Sequence, residues 1–224
     1  MFNISCAQKQ NASVVYTFKK GDANGIGKWY MGREIAHVMG FQGINWLERT
    51  DREEEENTSK LIANMNIQKD DVIADIGAGS GYHVFKMAPL AINGLVYAVD
   101  IQDEMLNAMK RRKDTSATQN IKITKGSEKS VNLPEKAIDK VLMVDVYHEF
   151  NFPKEILASM KTSLKEDGEI YLIEYRGEDP DVPIKRLHKM TEAQAVKEMA
   201  AAGFVLKKNI ENLPWQHCMV FVKK

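Results

Sequence analysis

The sequence predicts a doubly wound α/β fold, in which helices cover both faces of a mostly parallel sheet. Three observations support this prediction. After Asp71, short apolar runs alternate with longer amphipathic segments, which is the pattern of parallel strands joined by crossover helices. A glycine-rich stretch, Gly77 to Gly81, follows the first of these apolar runs. The chain closes with two strand-like runs joined by a turn around Asn212 to Pro214, so the last strands should be antiparallel.

The sequence of the N-terminal part predicts a loose arm followed by a small helical cap. Residues 1 to about 25 are polar and show no sustained period. From Lys28 to Met39, apolar residues recur at near-helical spacing, and Trp46 and Leu47 form a second apolar spot. The acidic run 53–56 is typical of a solvated helix start, where the helix dipole favours negative charge. We therefore predict an arm and helical cap over residues 1–57 and one main domain over residues 58–224.

Five parallel strands are predicted within the main domain. They are expected at about residues 72–76, 95–99, 121–124, 140–144 and 169–174, with helices between them. The fourth helix is the clearest, because Phe152, Ile156, Met160 and Leu164 step by four. The last helix has signals at both ends. Thr191 and Gln194 form a capping box at its start, and Gly203 is a stop signal at its end.

Composition and charge limit the possible partners and compartments. The 224 residues contain 31 basic and 31 acidic side chains, so no net positive field attracts a nucleic acid or an anionic membrane. Only Cys6 and Cys218 occur, which argues against a disulfide framework or a zinc cluster and favours a reducing compartment. No apolar run reaches the ~20 residues of a membrane span, so we predict a cytoplasmic protein. The alternative is a lipoprotein lipidated at Cys6, if the true start lies upstream of Met1.

The stretch "VIADIGAGSGYH", Val72 to His83, carries the most specific motif of the chain. Glycines at alternate positions free the backbone for a close ligand approach after the first strand. The dehydrogenase fingerprint G-x-G-x-x-G places its third glycine one residue later, where this chain has Tyr82. The motif is instead D-x-G-x-G-x-G, formed by Asp75, Gly77, Gly79 and Gly81. An acid ahead of the loop suits a cationic ligand better than a phosphate.

These residues resemble the class I S-adenosylmethionine-dependent methyltransferases, and the resemblance covers roughly Thr58 to Lys224. It implies a seven-stranded sheet of order 3-2-1-4-5-7-6 with strand 7 antiparallel. It also implies S-adenosylmethionine as cofactor and S-adenosylhomocysteine as product. Asp75 would engage the cofactor's ammonium group directly or through water. The cofactor's amino-acid end and ribose would lie against the loop residues Gly77, Ala78, Gly79, Ser80 and Gly81.

Further cofactor contacts are predicted after the second, third and fourth strands. Asp100 ends the second strand, where a carboxylate can accept both ribose hydroxyls; it could also cap the following helix, and different oxygens could serve both roles. Ile101 would flank the adenine. Ser127 stands where the family usually has an Asp for the adenine amino group, and Glu128 follows it. Asp145 would line the methionine end.

The acceptor is expected above the fourth and fifth strands. The fourth strand ends in "VDVYHEF", where His148 is the leading candidate for a general base, because an imidazole titrates near neutral pH. It could equally be a hydrogen-bonded loop histidine. Tyr147 and Glu149 are further catalytic candidates, which could instead stabilise this loop.

Two other segments supply candidates for the acceptor side. The long loop after the fifth strand contributes Glu174, Tyr175 and His188. The N-terminal cap could bring Tyr30 and Arg33 over the cofactor, although packing explains Tyr30 equally well. No metal is predicted, because Tyr175 follows Glu174 and leaves an acid-rich magnesium trio incomplete.

Together these features predict a methyltransferase that moves a methyl group by in-line displacement to a small molecule, or to a protein side chain. One alternative is an NAD(P)-dependent oxidoreductase, whose sequence pattern also has a strand followed by a glycine-rich loop. The other is a cofactor-binding protein without turnover. A nucleic-acid methyltransferase is disfavoured by the zero net charge and by the absence of an Asn-Pro-Pro-aromatic string after the fourth strand.

Overall fold

A computed structural model describes residues 15–224, which form two β-sheets and seven α-helices. The strands are β1 (Tyr16–Phe18), β2 (Gly25–Tyr30), β3 (Arg33–Ala36), β4 (Val72–Ile76), β5 (Leu95–Asp100), β6 (Ile121–Lys125), β7 (Ile138–Val144), β8 (Leu164–Tyr175), β9 (Phe204–Asn209) and β10 (Gln216–Lys223). The helices are α1 (Ile44–Leu47), α2 (Arg52–Glu56), α3 (Thr58–Asn64), α4 (Val84–Met87), α5 (Asp103–Asp114), α6 (Pro153–Ser163) and α7 (Glu192–Ala201).

The large sheet has the strand order β6-β5-β4-β7-β8-β10-β9. When the strands of this sheet are numbered 1 to 7 along the chain, starting from β4, the order is 3-2-1-4-5-7-6. The five strands from β4 to β8 pair in parallel, whereas β10 runs antiparallel to both of its neighbours, β8 and β9. The short connection between β9 and β10 forces this reversal. The predicted mostly parallel, seven-stranded sheet is confirmed.

Apolar side chains form one core on each face of the large sheet. Successive residues of a strand point to opposite faces, so Ala74 and Ile76 enter one cluster and Ile73 enters the other. α6 and α7 cover the first cluster, and α3, α4 and α5 cover the second. Thr191 caps α7 by accepting a hydrogen bond from the Gln194 N–H (3.1 Å), as the capping box predicts. This arrangement leaves the carboxyl ends of the parallel strands open for a site.

The predicted helix over Lys28 to Met39 is wrong, because residues 16–36 form the small antiparallel sheet β1-β2-β3. The second apolar spot of the predicted cap, Trp46 and Leu47, does lie in a helix, α1. β2 and β3 are joined by a two-residue turn in which Met31 (φ 49°) and Gly32 (φ 97°) both have left-handed backbone. The inward positions of this sheet include the buried polar residues Lys28 and Glu34. Their polarity hides the alternation that would otherwise indicate strands.

The predicted loose arm is also corrected, since β1 begins at residue 16 within it. Residues 1–14, with Cys6, lie outside the described part of the chain. Within that part, no helix has the length and apolar character to cross a membrane.

The acidic run 53–56 was predicted to be solvated, but Glu56 is buried. The helical segment breaks at Asn57, whose backbone is left-handed (φ 52°) and whose side chain caps α3. This break turns the end of α2 towards the large sheet, where Glu56 accepts a hydrogen bond from the Tyr175 hydroxyl (2.7 Å). Arg52 compensates the buried charge, with Nε 2.7 Å from Glu56 Oε2.

Candidate active site

Two adjoining cavities lie at the carboxyl edge of the large sheet. The first, about 400 Å³, lies over the glycine loop and is called the loop cavity. The second, about 360 Å³, is walled by two histidines and is called the histidine cavity. Their lining residues run from Val38 to His188, and five residues border both cavities: Met39, Leu47, Val144, Asp145 and Glu149. The two cavities therefore meet at a common wall.

The floor of the loop cavity is the backbone of Gly77 and Gly79. Both have left-handed backbone, with φ of 75° and 56°. A side-chain carbon at Gly77 would lie 2.4 Å from Val146 Cγ2, and one at Gly79 would lie 2.6 Å from Leu47 Cδ1. Glycine is therefore favoured in these turns, which bring bare backbone to the cavity surface.

Three other residues of the predicted loop do not line either cavity. Ala78 is buried in the core below the loop. The Ser80 hydroxyl donates a hydrogen bond to Glu48 Oε1 (2.5 Å), which ties the loop to the segment above it. Gly81 packs against Phe85 at the start of the next helix. They shape the loop and do not face the cavity.

Asp100 fixes the glycine loop and also borders the loop cavity. Its Oδ2 accepts a hydrogen bond from the Gly79 N–H and its Oδ1 accepts one from the Gln102 N–H, both at 2.9 Å. Burial raises the pKa of this carboxyl, although these backbone donors lower it. Each oxygen keeps a second acceptor position. Asp100 can thus hold the backbone ahead of α5 and still accept hydrogen bonds from a ligand.

Asp75 is a buried acid without a partner at one oxygen. Its buried side chain lines neither cavity, and its Oδ2 has no hydrogen-bond partner in the described part of the chain. Burial raises the pKa of the Asp75 carboxyl to about 7; the Arg52 guanidinium lowers it and Asp100 raises it further. A buried carboxylate of this kind is stabilised by a nearby cation or hydrogen-bond donor.

The outer part of the loop cavity includes three predicted residues, Ile101, Ser127 and Glu128. Ile101 presents an apolar side chain that is 43% exposed. The Ser127 hydroxyl accepts a hydrogen bond from the Ser130 N–H (3.0 Å), and Glu128 accepts one from the Asn151 amide (2.8 Å). An apolar surface with polar groups at its rim suits a flat heterocycle.

Asp145 stands at the common wall in a strained conformation. Its φ of 50° lies in the left-handed region directly after β7. Its Oδ2 accepts a hydrogen bond from the Gln216 amide (2.6 Å), whereas its Oδ1 is buried without a partner in the described residues. Burial, together with Glu56 and Glu174, raises the pKa of Asp145 well above its usual value.

In the histidine cavity, both ring nitrogens of His148 are engaged. Nδ1 lies 2.6 Å from Glu174 Oε2, and Nε2 lies 3.1 Å from Nδ1 of His188. Burial lowers the pKa of His148, but Glu174 and Glu149 outweigh it and raise the value to about 10. For the Glu149 carboxyl, burial raises the pKa, but hydrogen bonds to the two histidines outweigh burial and lower the pKa to about 2. Glu174 lies behind His148 and orients it without lining the cavity.

The histidine cavity also contains residues that no motif indicated. Arg52 and Glu56 line it together with the predicted Tyr175, and these three side chains form a hydrogen-bonded group. Met39 and Leu47 reach it from the segment after the small sheet. The sequence gives no signal for these residues. Glu56 belongs to a run of four acids that is typical of a protein surface, and Met39 and Leu47 resemble ordinary packing residues.

Three predicted site residues lie away from both cavities. Tyr147 is fully buried and donates a hydrogen bond to Glu198 Oε2 (2.9 Å). Arg33 forms an ion pair with Glu198 (2.8 Å) and donates to the His148 carbonyl (2.9 Å). Tyr30 is buried against Tyr16, with ring centroids 5.5 Å apart. We assign these three residues a structural role.

Comparison with known proteins gives a consistent result. Residues 67–218 match the family model described as a methyltransferase domain. The chain is 22% identical over 166 residues to an uncharacterized methyltransferase of Bacillus subtilis (strain 168), covering 73% of this chain and 65% of that protein. It is 26% identical over 167 residues to a tRNA U34 carboxymethyltransferase of Pseudoalteromonas translucida (strain TAC 125), covering 72% and 51%. The chain thus spans less than two thirds of the length of both relatives.

A solved structure shares the fold. The crystal structure of a SAM dependent methyltransferase from Aquifex aeolicus superposes with a TM-score of 0.78 at 20% identity. The superposition covers 84% of this chain and 100% of that chain. At this identity, the likeness shows the fold.

Proposed function

The chain belongs to the methyltransferase domain family, and on this premise we propose that it transfers the methyl group of S-adenosylmethionine to a small-molecule acceptor. The observation that carries the proposal is the pair of adjoining cavities with a common wall at Asp145 and Glu149. One cavity has the features expected for the cofactor. The other offers the acceptor a place directly beside it.

The residues of the loop cavity fit the cofactor, together with Asp75, which directly precedes the lining residues Ile76 and Gly77. Asp75 and Asp145 each have a buried carboxylate oxygen without a partner in the described residues, which suits the cofactor's positive charges. Asp100 has free acceptor positions for the ribose hydroxyls, and the Gly77 and Gly79 backbone permits close approach. When bound, S-adenosylmethionine supplies an electrophilic methyl group on its sulfonium centre.

The role of the protein is to hold the acceptor in line with that methyl group. Such a displacement gains its rate mainly from proximity and orientation. Arg52, Glu56 and Tyr175 offer the acceptor a cation, an anion and a phenol within one hydrogen-bonded group. These groups can orient a polar acceptor, while Met39 and Leu47 close the common wall with apolar surface.

A proton on the acceptor must leave during the transfer, unless the acceptor carries none. His148 was the expected base, but both of its ring nitrogens already have partners. In this arrangement Nε2 is occupied by His188, so His148 would have to release His188 before Nε2 could bind a proton or another ligand. His148 instead holds the far wall of the cavity, together with His188.

The size and charge of the site support a small acceptor. A cavity of about 360 Å³ is in the range that binds small organic molecules. The whole chain has equal numbers of acidic and basic side chains, so it has no net positive charge that would attract a polyanion such as RNA. Family membership also removes the support for the nicotinamide oxidoreductase considered from the sequence.

Cofactor binding is tested by calorimetry with S-adenosylhomocysteine. Replacing Asp100 by Ala removes the acceptor for the ribose and for the Gly79 N–H, so we expect affinity to fall about 10- to 100-fold. Asp103→Asn, at an exposed position three residues on, is the matched control and should bind as the wild type does. Equal affinity in Asp100→Ala and wild type would contradict the assignment.

The acceptor class is tested with a donor labelled in its methyl group. A cell extract is separated into small molecules, proteins and RNA, and each fraction is incubated with the chain and the donor. Label in the small-molecule fraction supports the proposal, and any transfer excludes a binding protein without turnover. Label confined to proteins or RNA would overturn the small-molecule assignment.

A further inference from the structure

Three side chains with metal-binding atoms converge on the wall of the histidine cavity. His148 Nε2 lies 3.1 Å from His188 Nδ1 and 3.7 Å from Glu149 Oε1. His188 Nδ1 lies 3.5 Å from the same Glu149 oxygen. These atoms form a compact triangle, and all three residues line the cavity.

We propose that His148, Glu149 and His188 form a binding site for a divalent transition-metal ion, with open coordination positions that face the histidine cavity. Bonds of about 2.1 Å to nitrogen and oxygen place neighbouring ligand atoms about 3.0 Å apart in octahedral geometry and about 3.4 Å apart in tetrahedral geometry. The observed separations of 3.1 to 3.7 Å need only small side-chain shifts to match either one.

A second layer of hydrogen bonds orients the three ligands. Glu174 Oε2 lies 2.6 Å from His148 Nδ1, which favours the tautomer with its proton on Nδ1 and its lone pair on Nε2. The second oxygen of Glu149 accepts a hydrogen bond from the Met39 N–H (3.1 Å), so Oε1 is left to face the histidines. The His188 N–H donates to the Lys185 carbonyl (2.9 Å), which fixes the turn that carries this ligand.

Charge near the site favours a dication. Glu149 and the buried Glu174 place two carboxylates around the two imidazoles, and Glu56 and Asp145 line the same cavity. The cationic side chains that line this cavity are Arg52, which is paired with Glu56, and Lys185, so the acidic groups still outnumber them. A metal ion would compensate this excess of acidic groups.

The donor set also indicates the kind of metal. Two imidazole nitrogens and one carboxylate suit Zn²⁺, Fe²⁺, Mn²⁺ or Co²⁺ and leave positions open. Mg²⁺ prefers oxygen ligands and should bind weakly. The site differs from the acidic trio considered from the sequence, because histidines supply two of its three ligands.

The open positions would give the metal a role towards the acceptor, and this part rests on the proposed function. A hydroxyl group bound to a divalent metal loses its proton more readily. The proton would pass to solvent water, and the metal would hold the acceptor oxygen as an anion beside the common wall.

Metal binding is tested without cofactor or acceptor, using the untagged full-length chain after chelator treatment. Titration with Co²⁺, followed by its visible absorption, should show one equivalent bound per chain, and Zn²⁺ should displace it. His188→Ala removes one ligand at a partly exposed position and should weaken Co²⁺ binding at least about 100-fold. His37→Ala alters an exposed histidine outside the cluster and should bind as the wild type does.

Glu174→Gln keeps the shape of the side chain that orients His148 and should weaken Co²⁺ binding about 10- to 100-fold. Circular dichroism and calorimetry with S-adenosylhomocysteine, run on every variant, show that the fold and the loop cavity are intact. The proposal is overturned if the wild type binds no stoichiometric Co²⁺, or if His188→Ala binds it as tightly as the wild type. Loss of S-adenosylhomocysteine binding alone would count against the cofactor assignment and leave the metal site standing.

Discussion

At the scale of single residues, Asp75 is expected to make stability depend on pH. Its folded pKa is about 7, against 3.8 for an unperturbed carboxyl. Between these values the folded chain keeps a proton that the unfolded chain has lost. The contribution of Asp75 to stability is therefore full below about pH 4, decreases as pH rises to about 7, and is constant above that.

Asp75→Asn removes this titration but keeps the size of the side chain. We expect the variant to be more stable than the wild type at pH 8, by on the order of 4 kcal/mol, and to differ much less from it at pH 4. Urea unfolding at both pH values measures the difference between the two proteins. Asp114→Asn, at an exposed position, should show no such change. A constant difference between wild type and Asp75→Asn across this range would refute the assignment.

The residues of the site divide into those with a sequence motif and those without one. Asp75, Gly77 and Asp100 could be predicted, because strand ends and glycine spacing fix where they must lie. Arg52 and Glu56 could not, since they reach the cavity through a helix break at Asn57 and a long-range bond to Tyr175. Such contacts depend on tertiary packing, which local pattern does not encode.

At the scale of elements, the large sheet was predictable and the small sheet was not. Strands buried on both faces of a parallel sheet are continuous apolar runs bounded by turns, and these were recognised. In β2 and β3, inward positions are held by Lys28 and Glu34, and the turn between the strands contains Met31 before its glycine. A methionine at a left-handed position is a weak turn signal, so the spacing of apolar residues favours a helix over the hairpin.

The same turn gives a prediction about stability. In a two-residue turn of this type, Asn is favoured at the first central position, whereas Met carries a backbone cost of about 1 kcal/mol. Met31→Asn should therefore stabilise the chain and raise Tm by about 2 °C. Met31→Val is the matched comparison, and its β-branched side chain should lower Tm. Thermal unfolding of the three proteins checks the order, and a decrease in Tm for Met31→Asn would contradict the turn assignment.

At the scale of the whole molecule, one buried glutamate joins three separate parts of the chain. Glu198 of α7 accepts hydrogen bonds from Arg33 of the small sheet (2.8 and 3.0 Å) and from Tyr147 after β7 (2.9 Å). Arg33 also donates to the His148 carbonyl (2.9 Å). The small sheet is therefore attached to the large one through a group that supports the histidine cavity.

Removing this carboxylate leaves the Arg33 guanidinium buried without its partner. Glu198→Ala should lower the free energy of unfolding by about 3–5 kcal/mol. Asp103→Ala, which breaks an ion pair with both side chains more than half exposed, should change it by less than about 1 kcal/mol. Denaturant unfolding compares the two variants with the wild type. Equal effects of the two substitutions would show that the buried pair does not hold the sheets together.

The backbone at Asp145 restricts which side chains this position can carry. Its left-handed conformation is accessible to Gly, Asn and Asp at low cost, and strains β-branched and bulky residues. The common wall, in turn, calls for an oxygen that can accept hydrogen bonds, which glycine lacks. The two requirements overlap only at Asn and Asp. The backbone conformation and the proposed chemistry therefore restrict position 145 independently. Together they permit fewer side chains than either requirement permits alone.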